Sequence, residues 1–571
     1  MEFSKLAQIY EELENTPSGN KMREILAEFF KKVPKEDLSI VSYLTLGQIA
    51  SDYDNVVLGL ADKTALKAII TASGQDSSKV KKILQETGDL GLTAEKVCGK
   101  TTMTLIPKSK LSIKEVFDKL HKIAEASGSG SQELRTGLLA SLLQKASPTE
   151  AKYIMRISVG TLRMGVGDMT VLDALAIAFT GEKKNKEFLE KAYNICPDLA
   201  IISETLVKKG IKGIENIDIH VGRPIKMMLA QRVKELDEVP KKIPSKLAIE
   251  GKFDGERVQA HKDEKGKIHL FSRRLDDITA QFPDLAKALE EKVKAKTFVI
   301  EGEILAVDKD GNPKPFQTLM QRKRKYDIAD YVKKVPIVLK AFDLLYLNGK
   351  SYLHEPYHKR TKELENIIPN KGLLLVANKI YTEDLDEINK FFHKMLKEGF
   401  EGIIIKGMDS EYQAGTRGWS WIKWKKDYVK EMVDTFDFVI VGAFYGKGKR
   451  SGTYGALLCA SYNDKDDTFE TVCKLGTGLT DELLAELPKK LKKYEVDKQP
   501  ARLEIKKELK PDIWFEPKLV VEVSGAEITK SPTHTCASGL ALRFPRFIRY
   551  RDNKKAEQAT TSKEVEEIYS A

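Results

Sequence analysis

The sequence predicts a multidomain protein with an all-α domain, an α+β domain and an all-β barrel, in that order. Its 571 residues exceed the size of one ordinary domain. Apolar residues recur at helical spacing up to about residue 210, and at strand spacing from about residue 245. From about residue 431 the strands are short and joined by glycine-rich connections, which is typical of a small barrel. We therefore expect domains at 1–215, 216–430 and 431–571.

The helical prediction rests on segments such as 113–126, in which Val116, Leu120 and Ile123 share one helix face. Segments 134–146, 151–162 and 171–179 repeat the pattern. These spacings predict a helical domain with its own core.

Two glycine-rich turns separate predicted helices of this first domain. Such turns bring backbone N–H groups and a helix N-terminus against phosphate, although a flexible linker or a plain corner of a helical bundle explains either turn alone equally well. With two arginines nearby, the turns suit sequence-independent contact with a duplex backbone. The residues concerned are Gly128, Gly130, Arg156, Arg163, Gly165 and Gly167.

The second domain alternates short strands with helices. Pro224, Pro240 and Pro244 punctuate the segment before it and mark the boundary. Its predicted strands are 246–249, 257–261, 268–271, 297–307, 336–345, 373–377 and 402–406, and its predicted helices are 284–293 and 385–398. This pattern is typical of an α+β domain.

The stretch from Ala248 to Arg257 carries Glu250, Lys252 and Asp254 at a strand-to-loop transition. An amine attacks phosphorus only when it is unprotonated, and free lysine titrates at about 10.4. Since nearby cations and burial favour the neutral amine, a nucleophilic lysine should have basic neighbours. The candidates are Arg257, Arg273, Lys406 and Lys423. For an isolated KxDG sequence, a surface lysine is the better interpretation.

Two carboxylates, Glu301 and Glu303, alternate along the strand predicted at 297–307 and therefore share one face. Adjacent carboxylates are costly unless they are exposed or paired with a cation or metal. The sequence at this point allows two interpretations, an exposed edge strand and a metal site.

Three further positions carry candidate binding groups. Phe342 could stack on a base, although a core phenylalanine is the commoner case. Glu401 and Lys406 lie at opposite ends of a strand that is apolar on both faces. Alternation puts Trp421, Lys423 and Lys425 on one face, where lysines would form a phosphate clamp if that face is internal.

In this order the motifs resemble those of covalent nucleotidyltransferases, and specifically of the ATP-dependent DNA ligases of the archaeal and eukaryotic replicative type. The resemblance covers nearly the whole chain, and the ordered set is far more specific than any one motif. The motifs are Lys252-Phe253-Asp254-Gly255, Phe271-Ser272-Arg273-Arg274, Ile300-Glu301-Gly302-Glu303, Ala341-Phe342-Asp343, 401–406, Trp421-Ile422-Lys423-Trp424-Lys425 and 542–554.

The resemblance implies a helical DNA-binding domain, an adenylation (nucleotidyltransferase) domain and an OB-fold. It implies that Lys252 forms a lysyl-AMP with ATP and that nicks in duplex DNA are sealed through an adenylated 5′-phosphate, in replication, repair and recombination. The implied nucleotide contacts are Glu250 and Phe342 at the adenine, and Arg257, Arg273, Glu303, Lys406, Arg417 and Lys423 at the ribose or phosphates. Mg²⁺ would bind at Glu303 and Glu401. Pyrophosphate would be oriented by Arg543, Arg546, Arg549, Arg551 and Lys554.

The loop that contains Lys447, Lys449 and Arg450 links two predicted barrel strands. It is either an ordinary hairpin or a loop that grips DNA phosphates through N–H groups and cations. In the context of the family we favour the second interpretation.

The sequence departs from the family in two respects. Glu301 stands where the family often has aspartate, and segment 101–112 lacks the glutamine and paired aromatics of a sliding-clamp peptide. Binding to a sliding clamp therefore stays open. An RNA ligase or an mRNA capping guanylyltransferase would share the chemistry of Lys252, and a non-catalytic DNA-binding scaffold is a third class.

The amino-acid composition adds information on the partner, the cofactor and the cellular location of the protein. The net charge of +11 favours a polyanionic partner, although a lysine-rich surface for solubility explains it about equally well. The five cysteines form no CxxC pair, which argues against a disulfide framework and a cysteine zinc cluster and favours ATP over NAD. The sequence has neither a long apolar run nor a secretory signal. We expect a cytoplasmic, nucleoid-associated monomer.

Overall fold

The computed structural model describes residues 1–98, 110–233, 235–322, 328–426, 435–446 and 453–570. The chain divides into two compact units, Met1–Lys423 and Trp424–Ala571. The first unit contains both the helical and the α+β segments, and the second contains the β-rich segment. The predicted domain limits at 215 and 430 therefore stay a prediction. The boundary between the two compact units follows Lys423, slightly before residue 430.

In the first half of the first unit, the regular elements among the described residues are helices. They are α1 (Phe3–Glu14), α2 (Gly19–Phe30), α3 (Leu38–Thr45), α4 (Asp62–Ser73), α5 (Ser77–Thr87), α6 (Leu90–Val97), α7 (Ile113–Glu125), α8 (Ser131–Lys145), α9 (Pro148–Ser158), α10 (Asp168–Thr180), α11 (Lys186–Ile195) and α12 (Leu199–Glu215). Their apolar faces share one core. Among the described helices of the whole chain, none has the length and apolar character needed to cross a bilayer.

Helix α9 lies in the middle of this core, and its start follows local sequence signals. The Ser147 side chain accepts a hydrogen bond from the backbone N–H of Glu150, and the Glu150 carboxylate accepts one from the N–H of Ser147. Pro148 occupies the first helical position, where no N–H is needed. All residues of α9 from Glu150 onward are buried, so its polar side chains need partners inside the domain.

Arg156 of α9 has an environment that favours a structural role, and its expected contact with DNA phosphate stays a prediction. Its side chain is 3% exposed. Its Nη1 lies 2.8 Å from Glu14 Oε1 and its Nε lies 3.3 Å from Asp89 Oδ1. Burial alone would raise the pKa of Glu14, but hydrogen bonds from Lys152, Arg156 and Tyr153 lower it to about 2. The guanidinium is thus held by two carboxylates inside the helical domain.

The second half of the first unit is α+β, as the sequence predicts. Its strands are β1 (Gln231–Arg232), β2 (Leu247–Lys252), β3 (Glu256–Lys262), β4 (Ile268–Ser272), β5 (Phe298–Ala306), β6 (Ile337–Leu347), β7 (Lys350–Ser351), β8 (Leu374–Val376), β9 (Lys379–Tyr381), β10 (Gly402–Gly407) and β11 (Trp421–Lys425). Its helices are α13 (Val239–Lys242), α14 (Pro283–Lys292), α15 (Phe316–Met320), α16 (Ile328–Lys334), α17 (Tyr357–Ile367) and α18 (Leu385–Lys397).

These strands form two sheets. One has the order β1-β11-β10-β2-β9, and the other has the order β4-β3-β5-β6-β7, with β8 beside β6. In the first sheet, β2 and β10 are antiparallel, with Lys252 opposite Gly402 and Ala248 opposite Lys406. In the second sheet, β5 is a central strand between β3 and β6, which excludes the interpretation of β5 as an exposed edge strand.

The second unit is a β domain with curled strands. Its elements are β12 (Thr435–Tyr445), β13 (Tyr454–Asn463), β14 (Thr468–Leu475), α19 (Asp481–Lys492), β15 (Glu495–Val496), β16 (Leu503–Glu504), β17 (Ile513–Phe515), β18 (Val520–Ser524), β19 (Glu527–Lys530), β20 (Leu540–Arg543), β21 (Arg546–Tyr550) and α20 (Ser562–Ser570). Strand β12 pairs with β13, β17 and β18, and its register shifts between Ile440 and Gly442. A bulge of this kind bends the strand and curls the sheet.

We predict that Arg156→Met destabilises the helical domain by about 3–5 kcal/mol, because Glu14 and Asp89 would lose their buried cation. Denaturant unfolding followed by circular dichroism measures the loss. Arg163→Met is the matched control: Arg163 also contacts Asp89, at 3.2 Å, but its side chain is 58% exposed. Arg163→Met should lower the free energy of unfolding by less than about 1 kcal/mol. Unchanged stability of Arg156→Met with weaker, salt-dependent DNA binding would contradict a structural role.

Candidate active site

A cavity of about 360 Å³ lies in the α+β part of the first unit. It brings together ten residues that the sequence predicts for the nucleotide and metal sites. They are Glu250, Lys252, Arg257, Arg273, Glu303, Phe342, Glu401, Lys406, Arg417 and Lys423. Leu229, Ala230 and Phe316 also line the cavity and were not predicted, since they belong to no charged motif and reach it only through the pairing and packing of distant segments.

Lys252 is the last residue of β2, and its side chain is about one quarter exposed. Its Nζ lies 2.9 Å from Glu401 Oε2 and donates a hydrogen bond to the Phe253 carbonyl. The nearest charged partner is therefore a carboxylate, although the predicted cations line the same cavity. The turn after Lys252 needs glycine, because a Cβ at Gly255 would lie 2.3 Å from the Ile304 carbonyl oxygen. The amine is thus held close to β5 by the tight turn of the KxDG motif.

The two carboxylates of β5 have different environments. Glu301 is fully buried and lies 2.7 Å from Arg257 Nη2. It also accepts hydrogen bonds from Gln259 Nε2 and the Tyr412 hydroxyl. Glu303 is half-buried at the cavity wall. Glu301 is therefore a structural anchor, and Glu303 is the carboxylate of this strand that a ligand can reach.

Burial raises the pKa of Glu303 to about 7, although the positive charges of Lys252 and Arg257 oppose the shift. The negative charge of Glu401 adds to it. Within the described ranges, no group of three or more His, Cys, Asp or Glu side chains is arranged to hold a metal ion. Two carboxylates with oxygen donors from a substrate would instead suit Mg²⁺, which usually keeps several waters.

Aromatic rings surround the buried end of the cavity. The guanidinium carbon of Arg257 lies 5.4 Å from the ring centroid of Phe342 and 5.5 Å from that of Trp421. Two buried donors, Arg257 Nε and Trp421 Nε1, have no acceptor among the described residues. A ligand with acceptor groups would remove the cost of leaving them unpaired.

Lys406 lies at this buried end, a position that does not favour its expected contact with the nucleotide phosphates, which stays a prediction. Its side chain is 1% exposed, and its Nζ lies 2.7 Å from Glu250 Oε2. Along the β2–β10 ladder, the Lys406 pair is four positions from the pair of Lys252 with Gly402. Burial lowers the pKa of Lys406, although Glu250 opposes that shift. The cations that line the open part of the cavity are Arg273 and Arg417, both exposed, and Lys423.

The cations predicted to orient pyrophosphate lie in the second unit, mostly beside carboxylates of that unit. Arg543 Nη1 lies 2.6 Å from Glu527 Oε1. Glu522 contacts Arg549 and Arg551, while Asp437 contacts Arg551 and Lys554. Arg546 is exposed on β21. Contact of the paired side chains with pyrophosphate would require exchange of these partners.

The glycine turns of the helical domain are on its surface. Gly128, Gly130, Gly165 and Gly167 are exposed, and Gly130 precedes α8 with φ +80°. Gly167 directly precedes α10, so both turns lead into helix N-termini, as predicted. Arg163 is exposed beside the second turn. Lys447, Lys449 and Arg450 lie outside the described residues.

Three family models match the chain. One described as DNA ligase N terminus matches residues 2–176, one described as ATP dependent DNA ligase domain matches residues 227–425, and one described as ATP dependent DNA ligase C terminal region matches residues 450–554. The chain therefore belongs to the ATP-dependent DNA ligases.

Relatives identify the type of ligase. DNA ligase 2 of Thermofilum pendens is 45% identical over 100% of this chain and 97% of that protein. DNA ligase 1 of Methanosarcina mazei is 43% identical over 100% of this chain and 99% of its own length. A solved structure named Pmar-Lig_PreS3 has a similar fold, with a TM-score of 0.58 at 17% identity over 96% of this chain and 99% of its own. The chain is an archaeal-type enzyme, and an RNA ligase or capping enzyme is not favoured.

We predict opposite effects on stability from changing the two carboxylates of β5. Glu301→Gln leaves Arg257 buried without its anion and should cost about 3–5 kcal/mol in the free energy of unfolding. Glu303→Gln should be slightly stabilising at pH 8. The folded state raises the pKa of Glu303 from 4.5 to about 7, so ionising it costs folding free energy as pH rises through that range.

Denaturant unfolding at pH 5 and pH 8 measures both effects. Glu303→Gln should be more stable than the wild type at pH 8 and about as stable as the wild type at pH 5. Equal effects of the two variants at both pH values would mean that the carboxylates have the same environment.

Proposed function

We propose that Lys252 is the nucleophile of this ligase and carries AMP from ATP to a nick in duplex DNA. The observation that carries the proposal is that Lys252, the carboxylates Glu303 and Glu401 and a set of cations line one cavity. Each reaction step would be an in-line displacement at phosphorus, for which a protein supplies positioning and charge neutralisation. Lysine, arginine and glutamate side chains suit that task.

In the first step, the neutral amine of Lys252 attacks the α-phosphorus of ATP. A P–N bond forms, the bond from the α-phosphorus to the bridging oxygen breaks, and pyrophosphate leaves. The amine gives up its ammonium proton to solvent before it attacks, and Glu401 Oε2 lies 2.9 Å from its Nζ. Cations that line the open part of the cavity, among them Arg273 and Arg417, would bind the phosphates.

In the second step, an oxygen of the DNA 5′-phosphate attacks the same phosphorus, the P–N bond breaks, and Lys252 takes up a proton. A pyrophosphate linkage then joins AMP to the DNA end. In the third step, the 3′-hydroxyl attacks the 5′-phosphorus, AMP leaves, and the hydroxyl proton is released as the phosphodiester forms. The exposed side of the cavity is where the DNA end would approach.

We infer that Mg²⁺ serves this reaction and that Glu303 and Glu401 would hold it. Both are oxygen ligands at the cavity wall, and a cation there would offset the cost of ionising Glu303. When bound, the ion would neutralise the two carboxylates and the charge that develops on the phosphates. In this arrangement Glu401 would contact the ion in place of Lys252.

The remaining roles belong to the helical and β domains. We propose that the turns containing Gly128 and Gly165 contact the duplex backbone, with Arg163 beside the second turn. We propose that the second unit is an OB-fold and that Arg546 and its neighbours on β21 orient pyrophosphate. Lys447, Lys449 and Arg450 are proposed as DNA contacts on their sequence alone. Binding to a sliding clamp and a monomeric, nucleoid-associated enzyme stay predictions.

We predict that Lys252→Ala forms no covalent AMP and seals no nick, because the variant lacks the amine that lies beside Glu401 in the cavity. Incubation with labelled ATP and Mg²⁺, followed by peptide mapping, measures the adduct. Binding to nicked DNA should stay within about threefold of the wild-type affinity, since most DNA affinity comes from phosphate contacts. Lys246→Ala, at an exposed lysine just before β2, is the control and should behave as wild type.

An adduct on another residue would overturn the assignment of Lys252. Sealing confined to RNA ends would favour an RNA ligase, and an unfolded Lys252→Ala would indicate a structural lysine.

A further inference from the structure

Two buried side chains at the closed end of the cavity, Glu250 of β2 and Lys406 of β10, contact the buried Tyr357 at the start of α17. Lys406 Nζ lies 2.7 Å from Glu250 Oε2, and the two side chains are 1% and 3% exposed. The Tyr357 hydroxyl donates a hydrogen bond to Glu250 Oε1 and is fully buried. Each carboxylate oxygen therefore has one protein partner. We refer to these three residues as the Glu250 triad.

The position of the triad along β2 relates it to the base of a bound nucleotide. Residues two apart on a strand share a face, at a separation of about 6–7 Å. On the proposed function, the phosphorus bonded to Lys252 occupies one end of the cavity, and the sugar and base extend from it. Lys406 Nζ lies 4.7 Å from the ring centroid of Phe342 and 4.4 Å from that of Trp421. Glu250, Lys406 and these rings thus form the wall that would face the base, and Tyr357 contacts that wall through Glu250.

The charge of Glu250 depends on its neighbours. A buried carboxylate is costly without a cation, and Lys406 is the cation in direct contact with it. Lys379 also faces Glu250, and Asp343 faces Lys406, but Lys379 Nζ is held 2.8 Å from Glu365 Oε1. An ionised carboxylate only accepts hydrogen bonds. Adenine presents an exocyclic amino donor at the position where guanine presents a carbonyl acceptor.

We propose that Lys406 and Tyr357 determine the base selectivity of this ligase by holding Glu250 as an acceptor-only anion at the exocyclic group of the purine. The anion accepts from the amino group of adenine and repels the carbonyl of guanine. Lys406 is a positioning residue in this scheme, since it acts through Glu250. The inference rests on the proposed function, because it requires that the nucleotide is attached to Lys252.

The test measures the rate of Lys252 adduct formation, as kcat/KM, with ATP, GTP and purine riboside triphosphate, which lacks the exocyclic amino group. The wild type should prefer ATP over GTP by at least about a hundredfold. It should prefer ATP over purine riboside triphosphate by about tenfold or more. Lys406→Met should reduce both preferences at least tenfold, because an unpaired buried carboxylate takes up a proton and then donates as well as accepts.

A double variant, Glu250→Gln with Lys406→Met, removes both buried charges and tests the idea if Lys406→Met alone does not fold. Its amide both donates and accepts, so its preference for ATP over GTP should also fall at least tenfold. Tyr357→Phe should reduce the preference by a smaller factor. Lys423→Met, at the open part of the cavity, is the matched control: its rates should fall for all three nucleotides, with their ratios within about threefold of wild type.

Slower reaction of Lys406→Met with unchanged nucleotide ratios would overturn the inference and leave Lys406 a structural residue. A wild type that uses ATP and GTP equally would overturn it while the proposed function stands. A wild type that forms no adduct with any nucleotide would overturn the proposed function itself.

Discussion

The antiparallel pairing of β2 with β10 is the constraint on which the active site depends. The register puts Lys252 opposite Gly402, next to Glu401, and puts Lys406 within reach of Glu250. A slip of one residue would turn Lys406 to the other face of the sheet. A single ladder therefore sets both ends of the cavity, the end with the reactive amine and the end that faces the base.

Buried ion pairs divide the charged side chains of this protein into two groups. Arg156, Arg257 and Lys406 each have a carboxylate partner within about 3 Å and little exposure. Such cations stabilise the fold only as long as their partners remain. Exposed cations such as Arg273 and Arg417 at the cavity are available for phosphate. The number of Lys and Arg residues therefore overstates how many cations can contact a polyanion.

The same division holds in the second unit. Glu522 and Asp437 hold Arg549, Arg551 and Lys554 at one side of the β domain. The cations of these pairs are more exposed than the two carboxylates, so a phosphate ligand could approach them from the solvent side. The domain can thus keep its cations ordered without making them unavailable to a phosphate ligand.

The sequence by itself determined the order of the elements and the membership of the site. Helical and strand periodicities are local properties, and they predicted most strands of the α+β part to within a few residues. The family motifs then named ten residues that the structure places around one cavity. Phe316, Leu229 and Ala230 were not predicted, because nothing in their own segments indicates that they face a ligand.

Only the tertiary structure decided which charged residues are free to bind. Arg156 lies beside a glycine turn in the sequence, yet its partners Glu14 and Asp89 are 142 and 67 positions away. Glu301 and Glu303 share a strand face, but only Glu301 is enclosed by Arg257, Gln259 and Tyr412. Burial and the choice of ion-pair partner depend on packing between distant segments. Residue type and spacing do not reveal that packing.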